Sequence, residues 1–269
     1  MEKNTILDKL AEASGMRAAA DKAKISAGDM RRLAEERALT GSGAFAFEKA
    51  LSGEDIGFIC EVKKASPSKG MIAGEFPYLE IAKEYERAGA DCISVLTEPQ
   101  YFLGSDRYLT EIRRNVRIPL LRKDFTVDVY QIYQARTLGA DCVLLIAALL
   151  GRERLKEYLE VCDSLGMSAL TEAHNEAEIE RALDAGARMI GVNNRNLKDF
   201  TVDTGNSARL RAMVPAGRLF IAESGIRTAD EIEMLRRAGA DGVLIGEALM
   251  RSEDKKKALA GLKGVRDED

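Results

Sequence analysis

The chain reads as an α/β protein, a (β/α)8 TIM barrel with an N-terminal helical extension, and three observations predict it. A glycine-centred motif recurs ahead of short apolar runs. Ala88-Gly89-Ala90-Asp91 precedes Cys92–Leu96 and Leu138-Gly139-Ala140-Asp141 precedes Cys142–Ile146. Ala185-Gly186-Ala187-Arg188 precedes residues 189–192, and Ala238-Gly239-Ala240-Asp241 precedes Gly242–Ile245. A second series of strand-like runs, at 58–63, 119–123, 168–172 and Leu219–Glu223, interleaves with the first and brings the total to eight. Finally, ionisable and amide residues gather at the ends of these runs. The motif glycines lie 50, 47 and 53 residues apart, so one strand–helix unit takes about 25 residues. Repetition that even favours a closed barrel over a doubly wound open sheet.

Residues 1–57 form the extension and residues 58–269 the barrel. Ile6, Leu7 and Leu10 recur at helical spacing. A second helical stretch, residues 30–39, carries Arg31, Arg32, Glu35, Glu36 and Arg37, and Gly41-Ser42-Gly43 breaks the pattern. Such a preface serves either as a stabilising cap or as a lid that clamps substrate. Within the barrel, each motif glycine sits where a helix must stop, and only glycine takes the left-handed turn cheaply. The run after it is short and apolar, as a parallel strand buried on both faces must be.

In strand one, Phe58-Ile59-Cys60 leads into Glu61 and Lys63, which alternation places on one face. A charge buried alone is costly, so the two belong together, as a structural ion pair or as a pair that does chemistry. The active site of such a barrel lies at the C-terminal strand ends. Those ends supply Glu61 and Lys63; Thr97 and Glu98; Arg122, Lys123 and Asp124; Glu172 and His174; Asn193, Asn194 and Arg195; Glu223 and Ser224; and Gly246 and Glu247. Strand four alone, read over residues 143–150, offers nothing ionisable. One rim so provided predicts a catalytic or binding mouth. Arg122 and Asp124 alternate with Lys123 and should face the helices, and His174 reads as a structural side chain. After the last two strands, Ser224-Gly225 and Gly246-Glu247 should stand just before helices, where backbone N–H groups can cradle phosphate. The Glu247 side chain should then turn away.

Composition narrows the chemistry. Apolar residues make up 46% of the 269, enough for a full core, and 40 basic residues against 44 acidic ones give no basic excess for nucleic acid. No apolar run is long enough to span a bilayer and no apolar signal segment follows the N-terminus, so the expected location is cytoplasmic. The cysteines, Cys60, Cys92, Cys142 and Cys162, form no C-x-x-C pair. With one histidine, His174, a multi-histidine metal cluster is ruled out, and acid–base work falls mainly to Lys, Glu or Asp. The run Asp254-Lys255-Lys256-Lys257 reads as the solvated face of the last helix.

With these stretches in view, the chain resembles the indole-3-glycerol phosphate synthase family. The likeness is carried by residues 60–68 (Cys-Glu-Val-Lys-Lys-Ala-Ser-Pro-Ser), Leu96-Thr97-Glu98 with Tyr101-Phe102, Arg122-Lys123-Asp124-Phe125 and Thr171-Glu172-Ala173-His174. It continues through Gly191-Val192-Asn193-Asn194-Arg195-Asn196-Leu197, Glu223-Ser224-Gly225-Ile226 and Gly246-Glu247-Ala248-Leu249-Met250. The helical preface suits the family too. The resemblance implies ring closure of 1-(2-carboxyphenylamino)-1-deoxyribulose 5-phosphate with loss of carbon dioxide and water, as a step of tryptophan biosynthesis. It implies Lys123 as general acid, Lys63 beside the substrate carboxylate and acting at dehydration, Glu172 as base, and Glu61 orienting Lys63. Ser66, Phe102, Asn193, Arg195 and Glu223 would contact substrate, and Ser224, Gly225, Gly246 and Glu247 would surround the phosphate. No metal or organic cofactor is implied. The expected partner is an anionic sugar-phosphate, with no nucleic acid or membrane, on a monomer or weak homodimer. Two rivals are a phosphoribosylanthranilate isomerase-like barrel and a non-catalytic scaffold. The first relies on a strand-end Cys, whereas Cys60 should face outward; the second need not retain four buried charges.

Overall fold

The computed structural model describes residues 5–40, 43–196 and 201–264. Eight parallel strands close into a barrel: β1 (Gly57–Val62), β2 (Cys92–Leu96), β3 (Leu120–Lys123), β4 (Cys142–Ile146), β5 (Ser168–Ala173), β6 (Met189–Asn193), β7 (Leu219–Glu223) and β8 (Gly242–Ile245). Each pairs with the next, and β8 closes on β1 with Cys60 opposite Ile245. Pro119 stands just outside β3. It gives its carbonyl to Ile93 N (3.0 Å), but a residue with no N–H starts a strand rather than joining its ladder.

The repeated motif has a physical role at every copy. Gly89, Gly139, Gly186 and Gly239 all have left-handed backbone, φ +84°, +99°, +96° and +83°. The aspartate that follows accepts an N–H at the start of a neighbouring strand, from its first or second residue: Asp91 from Phe58 (2.8 Å), Asp141 from Leu120 (3.0 Å) and Asp241 from Phe220 (2.7 Å). These bonds satisfy donors that would otherwise be orphaned at the barrel floor. In the third copy Arg188 replaces the aspartate and pairs with Glu48 (3.0 Å) and Asp163 (2.8 Å).

Alternation sorts the strand side chains into two cores. Phe58, Cys60, Val95, Val143, Ile190, Phe220 and Val243 meet the surrounding helices, while Ile59, Cys92, Leu121, Leu144, Leu170, Met189, Ile221 and Leu244 fill the barrel. Outside lie α4 (Tyr78–Arg87), α5 (Asp106–Arg113), α6 (Tyr130–Leu138), α7 (Arg152–Ser164), α8 (Glu176–Asp184), α9 (Gly205–Arg211), α10 (Ala229–Arg237), α11 (Glu247–Arg251) and α12 (Lys255–Lys263). In α12 the charge run is only partly solvated: Lys255 is buried and donates to the Ser252 carbonyl (2.9 Å), because it falls on the face that carries Leu259 and Leu262.

Three helices precede β1: α1 (Ile6–Lys24), α2 (Ala27–Ala38) and α3 (Ala46–Leu51). Of the predicted Gly41-Ser42-Gly43 break, Gly41 and Ser42 lie outside the described residues; Gly43 is left-handed. α3 closes the barrel floor. Its Leu51 seats against Gly57 at the start of β1, where any Cβ would overlap it, and beside Gly242 at the start of β8. α1 lies at the other end. Its Arg17 binds Asp124 (2.7 Å), its Ser14 hydroxyl donates to the Phe125 carbonyl (2.5 Å) and Lys22 pairs with Asp128 (2.6 Å). Among the described residues no helix is long and apolar enough to cross a membrane.

Candidate active site

The strand ends converge on one cavity. Glu61 points inward from β1, as the alternation requires, and Lys63, one residue past the strand, folds back to bind its carboxylate. Beyond it, residues 65–66 and 70–71 form a small hairpin, with Ser66 opposite Gly70. Lys123, the last residue of β3, projects between two carboxylates from across the barrel. Its Nζ is 3.2 Å from Glu172 Oε2 on β5 and 3.5 Å from Glu223 Oε2 on β7.

Of the neighbours of Lys123, Arg122 turns to the helix layer as predicted, while Asp124 meets a helix through Arg17 of α1 and also borders the cavity. Arg122 binds Asp106 (2.8 Å) and Gln134 (2.9 Å). Asp124 accepts from Arg17 and from the Thr97 hydroxyl (2.8 Å). Glu98, one of the rim residues, serves structure: its carboxylate accepts the N–H groups of Gln100 (3.0 Å), Tyr101 (2.7 Å) and Phe102 (3.0 Å). That turn carries Phe102 to the cavity, where its ring lies 6.1 Å from that of Phe125.

Lys123, Glu172 and Glu223, buried together, shift one another. Burial alone would lower the Lys123 ammonium, but Glu172, Glu223 and Glu61 more than offset that and hold it well above its ordinary range. Burial would likewise raise Glu172, yet Lys123 and then His174 hold it below the usual carboxylate value. Glu223 goes the other way. Burial, with repulsion from Glu172 and Glu61, outweighs Lys123 and pushes it up to about 7. Two carboxylates that share one cation are driven apart in this way.

Glycine makes room for these groups twice. A Cβ at Gly191 would overlap the Glu223 carboxylate, and one at Gly246 would overlap that of Glu61 and lie 2.9 Å from Lys63 Nζ. At the mouth's far side Ser224 and Gly225 are both left-handed, φ +69° and +83°. For serine that is strained, by about 1–3 kcal/mol, and Asn194 holds the turn by donating to the Ser224 carbonyl (3.1 Å). The expectation that a helix follows both glycines needs correction. Gly246 directly precedes α11, but α10 begins only at Ala229, because Thr228 and Glu231 form its capping box and leave 224–228 as a loop. The Glu247 side chain does turn aside, to Arg251 (3.3 Å) and Lys69 on the hairpin (3.8 Å).

All the residues expected at the site line this cavity: Glu61, Lys63, Ser66, Phe102, Lys123, Glu172, Asn193, Arg195, Glu223, Ser224, Gly225, Gly246 and Glu247. Leu197, part of the strand-six stretch, lies outside the described residues. Sequence reasoning missed Ile6 and Leu10, which reach the cavity from α1, and Leu144 and Ile146 from β4. Cys60 faces the helix layer, away from the mouth.

A closed barrel whose mouth holds buried, ion-paired ammonium and carboxylate groups beside a glycine-lined turn defines a (β/α)8-barrel enzyme built for proton transfer. Residues 7–262 match the family described as indole-3-glycerol phosphate synthase. The chain is 56% identical over 259 residues to the indole-3-glycerol phosphate synthase of Ruminiclostridium cellulolyticum, covering 96% of this chain and 99% of that one. It is 50% identical over 269 residues to that of Lachnoclostridium phytofermentans, covering 97% and 99%. The chain belongs to the indole-3-glycerol phosphate synthase family, whose members are carboxy-lyases. Solved structures share the fold at low identity. A 3-hexulose-6-phosphate synthase aligns with TM-score 0.64 and 14% identity over 78% of this chain and 99% of its own. A chain of the Pyrococcus furiosus tryptophan synthase complex aligns with TM-score 0.59 and 16% identity over 78% and 98%.

Proposed function

We propose a division of labour for the family's reaction, the closure, decarboxylation and dehydration of 1-(2-carboxyphenylamino)-1-deoxyribulose 5-phosphate to indole-3-glycerol phosphate. The aromatic carbon that bears the carboxylate attacks the ketone carbon, and Lys123 delivers a proton to the carbonyl oxygen as charge develops there. Carbon dioxide leaves with the bond to the ring carbon broken, and its electrons return to the ring. Lys63, oriented by Glu61, then protonates the departing hydroxyl, and Glu172 takes the proton whose loss makes the product aromatic. Asn193 and Arg195 hold substrate oxygens, Glu223 shares Lys123 with Glu172, Phe102 packs on the anthranilate ring, and Ser66 comes from the loop that closes over it. Ser224, Gly225, Gly246 and Glu247 receive the phosphate through backbone N–H groups.

The observation that carries this reading is the Lys123 ammonium placed between Glu172 and Glu223, with a second lysine–glutamate pair on β1. An acid that enters the reaction protonated, beside an ionised base, suits a reaction made of proton transfers. Residues 1–57 belong to the same machine as a cap, because Ile6 and Leu10 wall the cavity and Arg17 ties α1 to the residue after Lys123. All four cysteines are free and buried, which supports a cytoplasmic enzyme; a monomer or weak homodimer is the state to check by sedimentation.

The test is turnover of purified protein, followed by indole fluorescence and carbon dioxide release in equal amounts. Turnover of phosphoribosylanthranilate instead would favour the isomerase reading, and a folded protein inactive on both would favour the scaffold.

A further inference from the structure

His174 follows β5 by one residue and stands on the far side of Glu172 from Lys123. Its Nδ1 lies 3.1 Å from Glu178 Oε2 on α8, and its Nε2 lies 3.5 Å from Glu172 Oε1. Glu172 therefore has a potential cation at each oxygen, the lysine at Oε2 (3.2 Å) and the imidazole at Oε1. Nε2 is buried and has no hydrogen-bond partner at normal length among the described residues. The backbone that carries the ring is fixed, because Glu178 also accepts the His174 backbone N–H (2.8 Å) and Asn206 on α9 donates to its carbonyl (3.4 Å). Glu172 at the end of β5 and Glu178 from α8 approach the ring, and Glu223 from β7 acts on it through its field. Lys123 lies behind Glu172, and Arg195 from the end of β6 lines a second cavity with His174 and Glu178.

We propose that His174 is a positioning residue for Glu172: as imidazolium it anchors Oε1 and leaves Oε2 alone to meet Lys123 and the substrate, while Glu178 anchors the imidazolium from outside. The proposal rests on Glu172 acting as the base. Two carboxylates beside one ring favour its charged form. Burial opposes that, but the bond to Glu178 and the fields of Glu172 and Glu223 prevail and raise the imidazole above its ordinary value. The charged, anchoring form is thus the one present at low pH and lost as pH rises through the raised midpoint.

Because His174 is the one histidine in the chain, its imidazole NMR signals need no assignment. The titration midpoint should lie above about 6.5, the ordinary value, and fall by at least about half a unit in both Glu178→Gln and Glu172→Gln, each of which removes a facing charge. In the wild type, kcat should fall as pH rises through that midpoint. His174→Ala should lose about tenfold in kcat with KM changed less than about twofold, the pattern of a misplaced catalytic group. His174→Gln, whose amide nitrogen reaches the Nε2 position but does not titrate, should stay within about threefold of wild type and lose the high-pH limb. A midpoint at or below the ordinary value that ignores both glutamate changes overturns the proposal, as does a His174→Ala enzyme with wild-type kcat. The NMR arms read the anchoring without turnover. Coupled midpoints in a protein inactive on the substrate would therefore strike the role given to Glu172 and not the contact.

Discussion

Replacing Lys123 with alanine removes the one ammonium shared by Glu172 and Glu223, whose side chains are only 3% and 1% exposed. At 3.2 Å and an effective dielectric constant near 20, the gross attraction to one carboxylate is about 5 kcal/mol. The buried ammonium's own desolvation cancels much of this, so the net loss follows the range for breaking a buried pair, about 3–5 kcal/mol. The low end is expected here, because Glu223 can take up a proton. Its folded value, already raised from 4.5 to about 7 beside Lys123, must rise further without that cation. A group raised in the fold stabilises fully below its unfolded value and loses that contribution as pH climbs through the folded one. The variant's deficit against wild type should therefore be larger at pH 8 than at pH 6 in urea unfolding. Turnover should drop by at least ~10²-fold, the low end for a general acid, in protein that still shows one cooperative transition. Near-normal kcat in Lys123→Ala would remove Lys123 from its role. A deficit that did not grow with pH would refute the electrostatic account of Glu223.

Glu223→Gln should flatten part of the wild-type stability profile: between pH 4.5 and about 7 the wild type should lose about 3 kcal/mol relative to this variant, the shift converted at 1.36 kcal/mol per unit, measured by urea titration across that window. Gly246→Ala should fold, because the overlapping atoms are the ends of the flexible Glu61 and Lys63 side chains, with stability within about 1 kcal/mol; kcat/KM should fall at least about tenfold as that pair is displaced. Arg17→Ala should cost about 1–2 kcal/mol, less than a fully buried pair, because Asp124 keeps Thr97 and Arg122; a KM raised more than kcat is lowered would show α1 loosening over the mouth.

What sequence revealed and what it hid follow from distance along the chain. Alternation needs only neighbours, so Glu61 with Lys63, and Lys123 against Arg122, were legible before any coordinates. The motif glycines were legible because a left-handed φ has one cheap occupant. The part played by Ile6 and Leu10 was not, since helical spacing says that a face is buried and not what it meets more than a hundred residues away. Gly191 stood in a quoted stretch, but its reason lies on the adjacent strand, in the Glu223 carboxylate it must clear. Glu98 misled because a charge at a strand end looks the same whether it meets substrate or folds a turn. Lys255 misled because a run of like charges conceals which member the helix turns inward.

The seam where β8 meets β1, with Leu51 wedged against Gly57 beside Gly242, has a consequence for how the molecule is made. Its two sides leave the ribosome about 185 residues apart, a delay of roughly 10–40 s at ordinary translation speeds. Throughout that interval the nascent polypeptide carries an open edge on its first-made strand. An unpaired edge invites pairing with other chains, so shielding it until the final turn of synthesis bears on the yield of intact molecules.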